Sequence, residues 1–191
     1  MKTPFLVGKI IYLRPLHRTD LGERYQSWLN DPDVSRYLET AHFPQTLTAM
    51  EAFYESIAAS RDNLFLAIAD RATDLHIGNI KLGPINWVHR SGTLGLLIGE
   101  RDYWGRGCGT EATRLVVEHA FYNLNLHRVD LGVYAEHTAA VRMYEKVGFK
   151  VEGCLRKALF HEGQYKDHLL MAILKDEYVP VYRSSAASAE G

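Results

Sequence analysis

Three glycines at a spacing of two, Gly105, Gly107 and Gly109, stand directly before Thr110 and a helical run. Backbone N–H groups crowded into such a turn, at the positive end of a helix, make a concave nest suited to phosphate. Arg101, Arg106 and Arg114 lie nearby in the chain and are expected to meet that anion. Glycine turns between a strand and a helix also arise for steric reasons alone, so the spacing by itself leaves a plain turn open. Two phosphate chemistries are excluded. No Gly-Lys-Ser/Thr closes the loop, as a nucleotide-hydrolysing P-loop requires. No acidic residue ends the following strand, as a dinucleotide ribose requires. A pyrophosphate-bearing carrier such as coenzyme A fits what remains. Cys108 sits inside the loop, but no ordered Cys–His–Asn context accompanies it, so it is not read as a nucleophile. The second cysteine, Cys154, forms no CxxC pair with it. Neither a disulfide framework nor a metal site is expected.

The elements that must hold this loop follow from periodicity. Lys9 to Leu13 is β-branched and aromatic, stopped by Arg14-Pro15, and reads as a strand. Thr19-Asp20 caps a helix to about Leu29, a break at Asn30 to Asp33 follows, and a short helix spans Val34 to Leu38. Thr46 or Thr48 caps another helix whose buried face is Met50, Phe53, Tyr54 and Ile57. Phe65 to Ala69 and His76 to Leu82 read as antiparallel strands joined across Arg71 to Asp74. Gly92 to Ile98, almost continuously apolar, reads as a central strand covered on both faces. After the glycines come a helix from Thr110 to about Asn125 with a stripe of Ala112, Leu115, Val116, Ala120 and Leu124, then a strand Arg128 to Tyr134 and a helix Thr138 to Val147. Strands Phe149 to Arg156 and His168 to Leu174 complete one α+β unit over residues 1–182. Residues 183–191, mostly serine and alanine, are expected to be a disordered tail.

Among 191 residues, 22 basic and 23 acidic side chains leave a net charge of -1, which argues against a nucleic-acid binder working through a basic field. No apolar window is long enough for a membrane span, and the N-terminus lacks a secretory pattern, so a reduced cytoplasmic setting is expected.

The segment Tyr103-Trp104-Gly105-Arg106-Gly107-Cys108-Gly109-Thr110-Glu111-Ala112 resembles the acyl-CoA loop of the GNAT superfamily of N-acetyltransferases. It is most similar to the branch holding ribosomal-protein N-terminal, spermidine and amino-sugar acetyltransferases. Ala135 to Phe149 resembles that family's later helix and strand, and Trp28 to Val34 and Gly163 to Met171 resemble further parts of the branch. The resemblance implies a GNAT fold: a mixed, mostly antiparallel sheet of six to seven strands, splayed at its centre and flanked by about four helices. It implies acetyl-CoA as co-substrate and no metal.

On that resemblance the donor's pantetheine arm fills the splay beside Leu97, Ile98 and Gly99, and its phosphates meet Trp104, Gly105, Arg106, Gly107, Cys108, Gly109 and Thr110. An N–H near Leu97 polarises the carbonyl, and Tyr144 is the acid for the leaving thiolate. His137 stands where the family often has Asn, and is open to a role at the pantetheine or at a solvated helix start. The carboxylate the family often carries near Thr93 is absent, so the proton acceptor is left among Glu100, His89, His161 and a water chain. Tyr37, His42, His161 and Tyr165 are the acceptor candidates, the last two from a turn spanning Phe160 to Asp167. The implied reaction is acetyl transfer to a primary amine, with a protein N-terminus or amino sugar favoured over a polyamine or aminoglycoside. The protein is expected to be a monomer or homodimer without nucleic-acid or membrane partners. A noncatalytic acyl-CoA sensor is the alternative, and an interaction protein with no CoA site is a weaker one.

Overall fold

The computed structural model describes residues 3–182, and the expected tail at 183–191 lies outside them. Among the described residues eight strands form one sheet in the order β1-β2-β3-β4-β5-β6-β8-β7. They are β1 (Leu6–Val7), β2 (Ile11–Pro15), β3 (Leu64–Asp70), β4 (His76–Asn86), β5 (Ser91–Ile98), β6 (Arg128–Tyr134), β7 (Lys150–His161) and β8 (Gln164–Leu174). Five α-helices among the described residues flank it: α1 (Glu23–Asn30), α2 (Pro32–Ser35), α3 (Leu47–Ala58), α4 (Cys108–Tyr122) and α5 (Thr138–Val147). The strand count exceeds expectation by about one, because a two-residue edge strand is too short to show periodicity, and the short helix expected over Val34 to Leu38 lies instead at Pro32–Ser35, begun by Pro32. Among the described residues no helix is long and apolar enough to cross a membrane.

Local signals account for most boundaries. Thr46 accepts a hydrogen bond from the Ala49 amide and so caps α3, and Asp31 accepts from the amides of Asp33 and Val34 to start α2. Gly148, at φ 118°, ends α5. Only Met50 on the expected face of α3 is fully buried, while Phe53 remains exposed and meets Phe65 edge-on.

All neighbouring strands are antiparallel except β5 and β6, which run parallel and pair only at Ser91 with Arg128, Gly92 with Val129, and Thr93 with Asp130. Beyond that point β5 stays paired with β4 as far as Ile98, and β6 with β8 as far as Tyr134. The two strands therefore fork, with Ile98 and Tyr134 at the open end.

A large apolar cluster fills the face covered by α4 and α5, with Leu94, Leu131 and Val133 below and Ala112, Val116, Ala120 and Phe121 above. A smaller one on the other face joins Tyr25 and Trp28 of α1 to Met50 of α3 and to Leu97. β5 consequently alternates instead of being covered throughout: Leu94 is buried while Thr93 and Gly95 are exposed.

Candidate active site at the strand fork

Register decides which peptide groups face the fork. The amide of Gly99 donates to Ile77 C=O at 2.9 Å, and the Leu97 carbonyl oxygen crowds Gly78 on β4. Hydrogen-bonded pairs alternate along an antiparallel ladder, so Leu97 turns its N–H and C=O toward β4, and Leu94, Leu96 and Ile98 turn theirs toward the fork. The short parallel stretch agrees, because Arg90 C=O accepts from the amide of His127 and so places even-numbered β5 residues on the β6 side. By the same alternation Gly132 and Tyr134 face the fork from β6. The expectation for Leu97 and Gly99 is thereby corrected: their amides serve β4, and the fork is lined by Leu96 and Ile98. A strand of apolar residues shows no such parity until its pairing is known.

At the fork's rim the indole N–H of Trp104 donates to Ile98 C=O at 2.8 Å. The chain then turns through Gly105 at φ 72° and Gly107 at φ 87°, left-handed values that favour glycine. Helix α4 begins at Cys108, two residues before the expected Thr110. Its first bond runs from the Glu111 amide to Gly107 C=O at 2.9 Å, leaving the amides of Gly109 and Thr110 with no acceptor among the described residues. Gly109 allows this helix end to sit on the sheet, since a Cβ there would stand 3.2 Å from Leu96. Cys108 is buried with its thiol pushed upward by desolvation, which suits packing and not nucleophilic attack.

The expected trio of arginines is reduced to one. Arg101 pairs with Asp31 at 2.5 Å and Asp33 at 2.8 Å. Arg114 donates to Lys146 C=O at the end of α5, at 3.0 Å. Arg106 lies over the Tyr103 ring at 5.4 Å and, with no ion pair among the described residues, remains available to an anion. Glu111 was not singled out by sequence. Its carboxylate accepts from the amides of Lys9, Ile10 and Ile11 at 2.6, 2.9 and 2.9 Å, fastening the start of β2 to the first turn of α4. No local pattern announces a partner a hundred residues away.

Tyr144 is buried on the α4 side, in the cluster with Leu131 and Val133, and meets Phe149 edge-on at 5.6 Å. Desolvation raises its phenol above the ordinary value, and its hydroxyl has no partner among the described residues.

On the opposite face the side chain of Tyr37, just past α2, stacks on His137 at 4.2 Å and 20°, and lies 5.2 Å from Tyr134. His161 joins both rings at 6.1 and 6.0 Å. Burial lowers the His137 imidazole, with Arg36 adding to the effect, so this half-buried ring is held in an aromatic stack and is not a solvated helix start. Beside this group opens a cleft of about 430 Å³ lined by Leu29, Arg36, His42, Phe43, Phe160 and His161. The supposed turn from Phe160 to Asp167 is instead a paired arm of β7 and β8 that reverses at Glu162-Gly163. Tyr165 is outside the cleft, exposed and packed on Phe160 at 5.2 Å. Among the described residues no cluster of three or more histidine, cysteine or acidic side chains could hold a metal ion.

A family model described as an acetyltransferase (GNAT) domain matches residues 11–150, the stretch that carries the parallel pair, its fork and the helix N-terminus seated on β5. The chain belongs to the GNAT family. This acetyltransferase is 31% identical over 175 residues to the spermidine N(1)-acetyltransferase of Escherichia coli (strain K12), covering 91% of each chain. A probable N-acetyltransferase of Bacillus subtilis (strain 168) is 31% identical over 182 residues, 90% of this chain and 98% of that one. Among solved structures, the spermidine N-acetyltransferase of Vibrio cholerae in complex with CoA and spermine superposes with a TM-score of 0.81 at 28% identity, covering 88% of this acetyltransferase and 97% of that chain.

Proposed function

We propose that this acetyltransferase moves the acetyl group of acetyl-CoA directly to a primary amine, and that the acceptor is an aliphatic polyamine. The fork carries the reading. Its fork-facing peptide groups, the N–H of Leu96 and Ile98 and the C=O of Leu96, beside the free amides of Gly109 and Thr110, fit an amide-bearing pantetheine arm ending in a pyrophosphate. A buried peptide group without a partner costs about 1–3 kcal/mol, so such an edge favours a ligand that completes the ladder. Trp104, Gly105, Arg106, Gly107, Cys108 and Thr110 border the phosphate end of that path. An N–H of the fork-facing series is placed to polarise the thioester carbonyl.

The sheet separates the two substrates. Leu96 and Ile98 pack toward α4, the donor side, while Leu97 packs toward α1 on the opposite face. Tyr144, on the donor side, carries a proton to the sulfur. Its raised pKa makes a free tyrosinate costly, so it gives up its proton only as it takes one from the nitrogen of the attacking amine. Two relatives named for spermidine shift the favoured acceptor from a peptide or amino sugar to a polyamine. An aromatic group made by Tyr37, Tyr134 and His161 suits the alkylammonium of such a molecule.

Turnover of acetyl-CoA with a panel of amines, read by thiol release, tests both parts. Spermidine and spermine are expected to release thiol faster than peptides or amino sugars. Tyr144→Phe is expected to lower kcat by about 100-fold at unchanged CoA affinity. CoA binding with no thiol release for any amine, indifferent to Tyr144→Phe, would overturn the enzyme reading in favour of a sensor.

A further inference from the structure

Three side chains named as possible proton acceptors occupy distinct places. His89 lies in the exposed turn before Ser91, at the closed end of the parallel pair and far along β5 from the open end. Glu100 is near the open end, but Arg24 and the Trp28 indole both donate to it, at 2.8 and 2.9 Å, and hold it as a carboxylate below its ordinary range. His161 differs from both. It stands against Tyr134, the residue that ends β6 at the open end, and it lines the acceptor cleft. Its Nε2 is buried without a hydrogen-bond partner. Buried polar atoms are nearly always paired, so an orphan in a cleft calls for a ligand that supplies the missing partner.

Resting on the acetyltransferase reading, we propose that His161 Nε2 is the proton acceptor that converts the bound ammonium of the acceptor into the reactive amine. With its proton on Nδ1, the neutral ring presents the Nε2 lone pair. One proton passes from the substrate's R–NH3+ to Nε2, leaving R–NH2 and an imidazolium. The nitrogen lone pair then forms the C–N bond to the acetyl carbon, the C–S bond breaks, and the second nitrogen proton reaches the sulfur by way of Tyr144. The imidazolium returns its proton to water, so the products are the acetamide, the free thiol and one proton.

The surroundings fit both charge states. Glu162 Oε1 lies 3.6 Å from Nε2, beyond a hydrogen bond to the neutral ring but close enough to stabilise the imidazolium. That carboxylate is also shared with Arg36 at 3.5 Å, which moderates its pull. From β6 and its end come Tyr134 and Glu136, the latter paired with Lys166 of β8 at 2.8 Å. Tyr37 faces the ring from beyond α2, with His137 stacked behind it, and His42 lines the same cleft. Glu39 adds negative charge near Tyr134. No other imidazole in the group both borders the cleft and keeps a buried, unpaired nitrogen among the described residues.

The test compares the full chain with His161→Gln and His161→Asn across pH 6 to 9.5, using a polyamine acceptor. General-base loss of about 100-fold in kcat/KM is expected at pH 7 in both variants. The unmodified chain should plateau, whereas the variants should climb about tenfold per pH unit as neutral amine accumulates, converging on it at high pH. A thermal shift on adding CoA, retained by both variants, separates a lost proton acceptor from a lost fold. Parallel pH profiles, or a loss under about threefold in both, would overturn the assignment and leave His161 a packing residue. No thiol release from the unmodified chain with any amine overturns the functional reading, and this proposal with it, before any variant is made.

Discussion

On the proposed donor side of the fork, the available groups belong to the backbone: the N–H of Leu96 and Ile98, the C=O of Leu96, and the amides of Gly109 and Thr110. On the proposed acceptor side, the available groups are side chains, Tyr37, His42, Tyr134 and His161, delivered by four separate segments. Backbone groups survive most substitutions and are lost only when geometry shifts. Side chains can be exchanged one at a time. A protein built this way can keep its donor while side chains on the acceptor side are exchanged.

If backbone geometry holds the two faces apart, the most damaging changes should be at glycines. Gly99, where the end of β5 meets α1, is a severe case. A Cβ at this position would lie 2.0 Å from the ring of Trp28, which is itself buried and tied to Glu100. The indole cannot retreat without unpacking α1 from the sheet. Gly99→Ala is expected to cost about 3 kcal/mol, the upper end for overpacking, or roughly 6–12 °C in a thermal melt. A melt within about 2 °C of the parent would show that Trp28 is not fixed and would dissolve the boundary between the two faces.

Gly107→Ala should cost less and act on a different property. At φ 87° a Cβ meets nothing closer than Ile10 at 3.9 Å, so only the left-handed backbone resists, by about 1–2 kcal/mol. Relief of that strain tips the free amides at the start of α4 away from their common direction. CoA affinity, measured by calorimetry, should fall by about tenfold, while the acceptor KM is unchanged. Equal losses for the two substrates would break the separation of faces.

What could be read from sequence follows the same division. The glycine loop, its helix, and the Thr46 cap are local, and their residues announce them. The fork is legible only through resemblance, and its parity is hidden from the sequence, because strand register depends on pairing Gly78 with Ile98 and Ser91 with Arg128 across intervening chain. The arginines were over-read for a similar reason. Arg101 finds its partners at Asp31 and Asp33 from the break after α1, a pairing with no local signature. His161 was among the candidates, but its contact with Tyr37 and Tyr134 joins residues more than a hundred positions apart at one end.

The smallest expected effect concerns the seam where the faces meet. Arg24 donates to Glu100 at 2.8 Å and so lowers its carboxyl, with Trp28 assisting and burial opposing. A carboxyl with a depressed folded pKa contributes stability that is complete above its unfolded value, about 4.3, and is lost as pH falls through the lower folded value. The link between α1 and the end of β5 should therefore weaken below about pH 4 and be insensitive between pH 6 and 8. Because the pair is partly solvated, its worth is under about 1 kcal/mol. Denaturation midpoints from pH 7 to 3.5 should show Arg24→Ala losing less stability on acidification than the parent, since its Glu100 carboxylate keeps only the Trp28 hydrogen bond and is less stabilised. If both chains fall in parallel, the acid sensitivity lies elsewhere, and Trp28 alone holds α1 over Gly99, making the seam between the faces a matter of packing without charge.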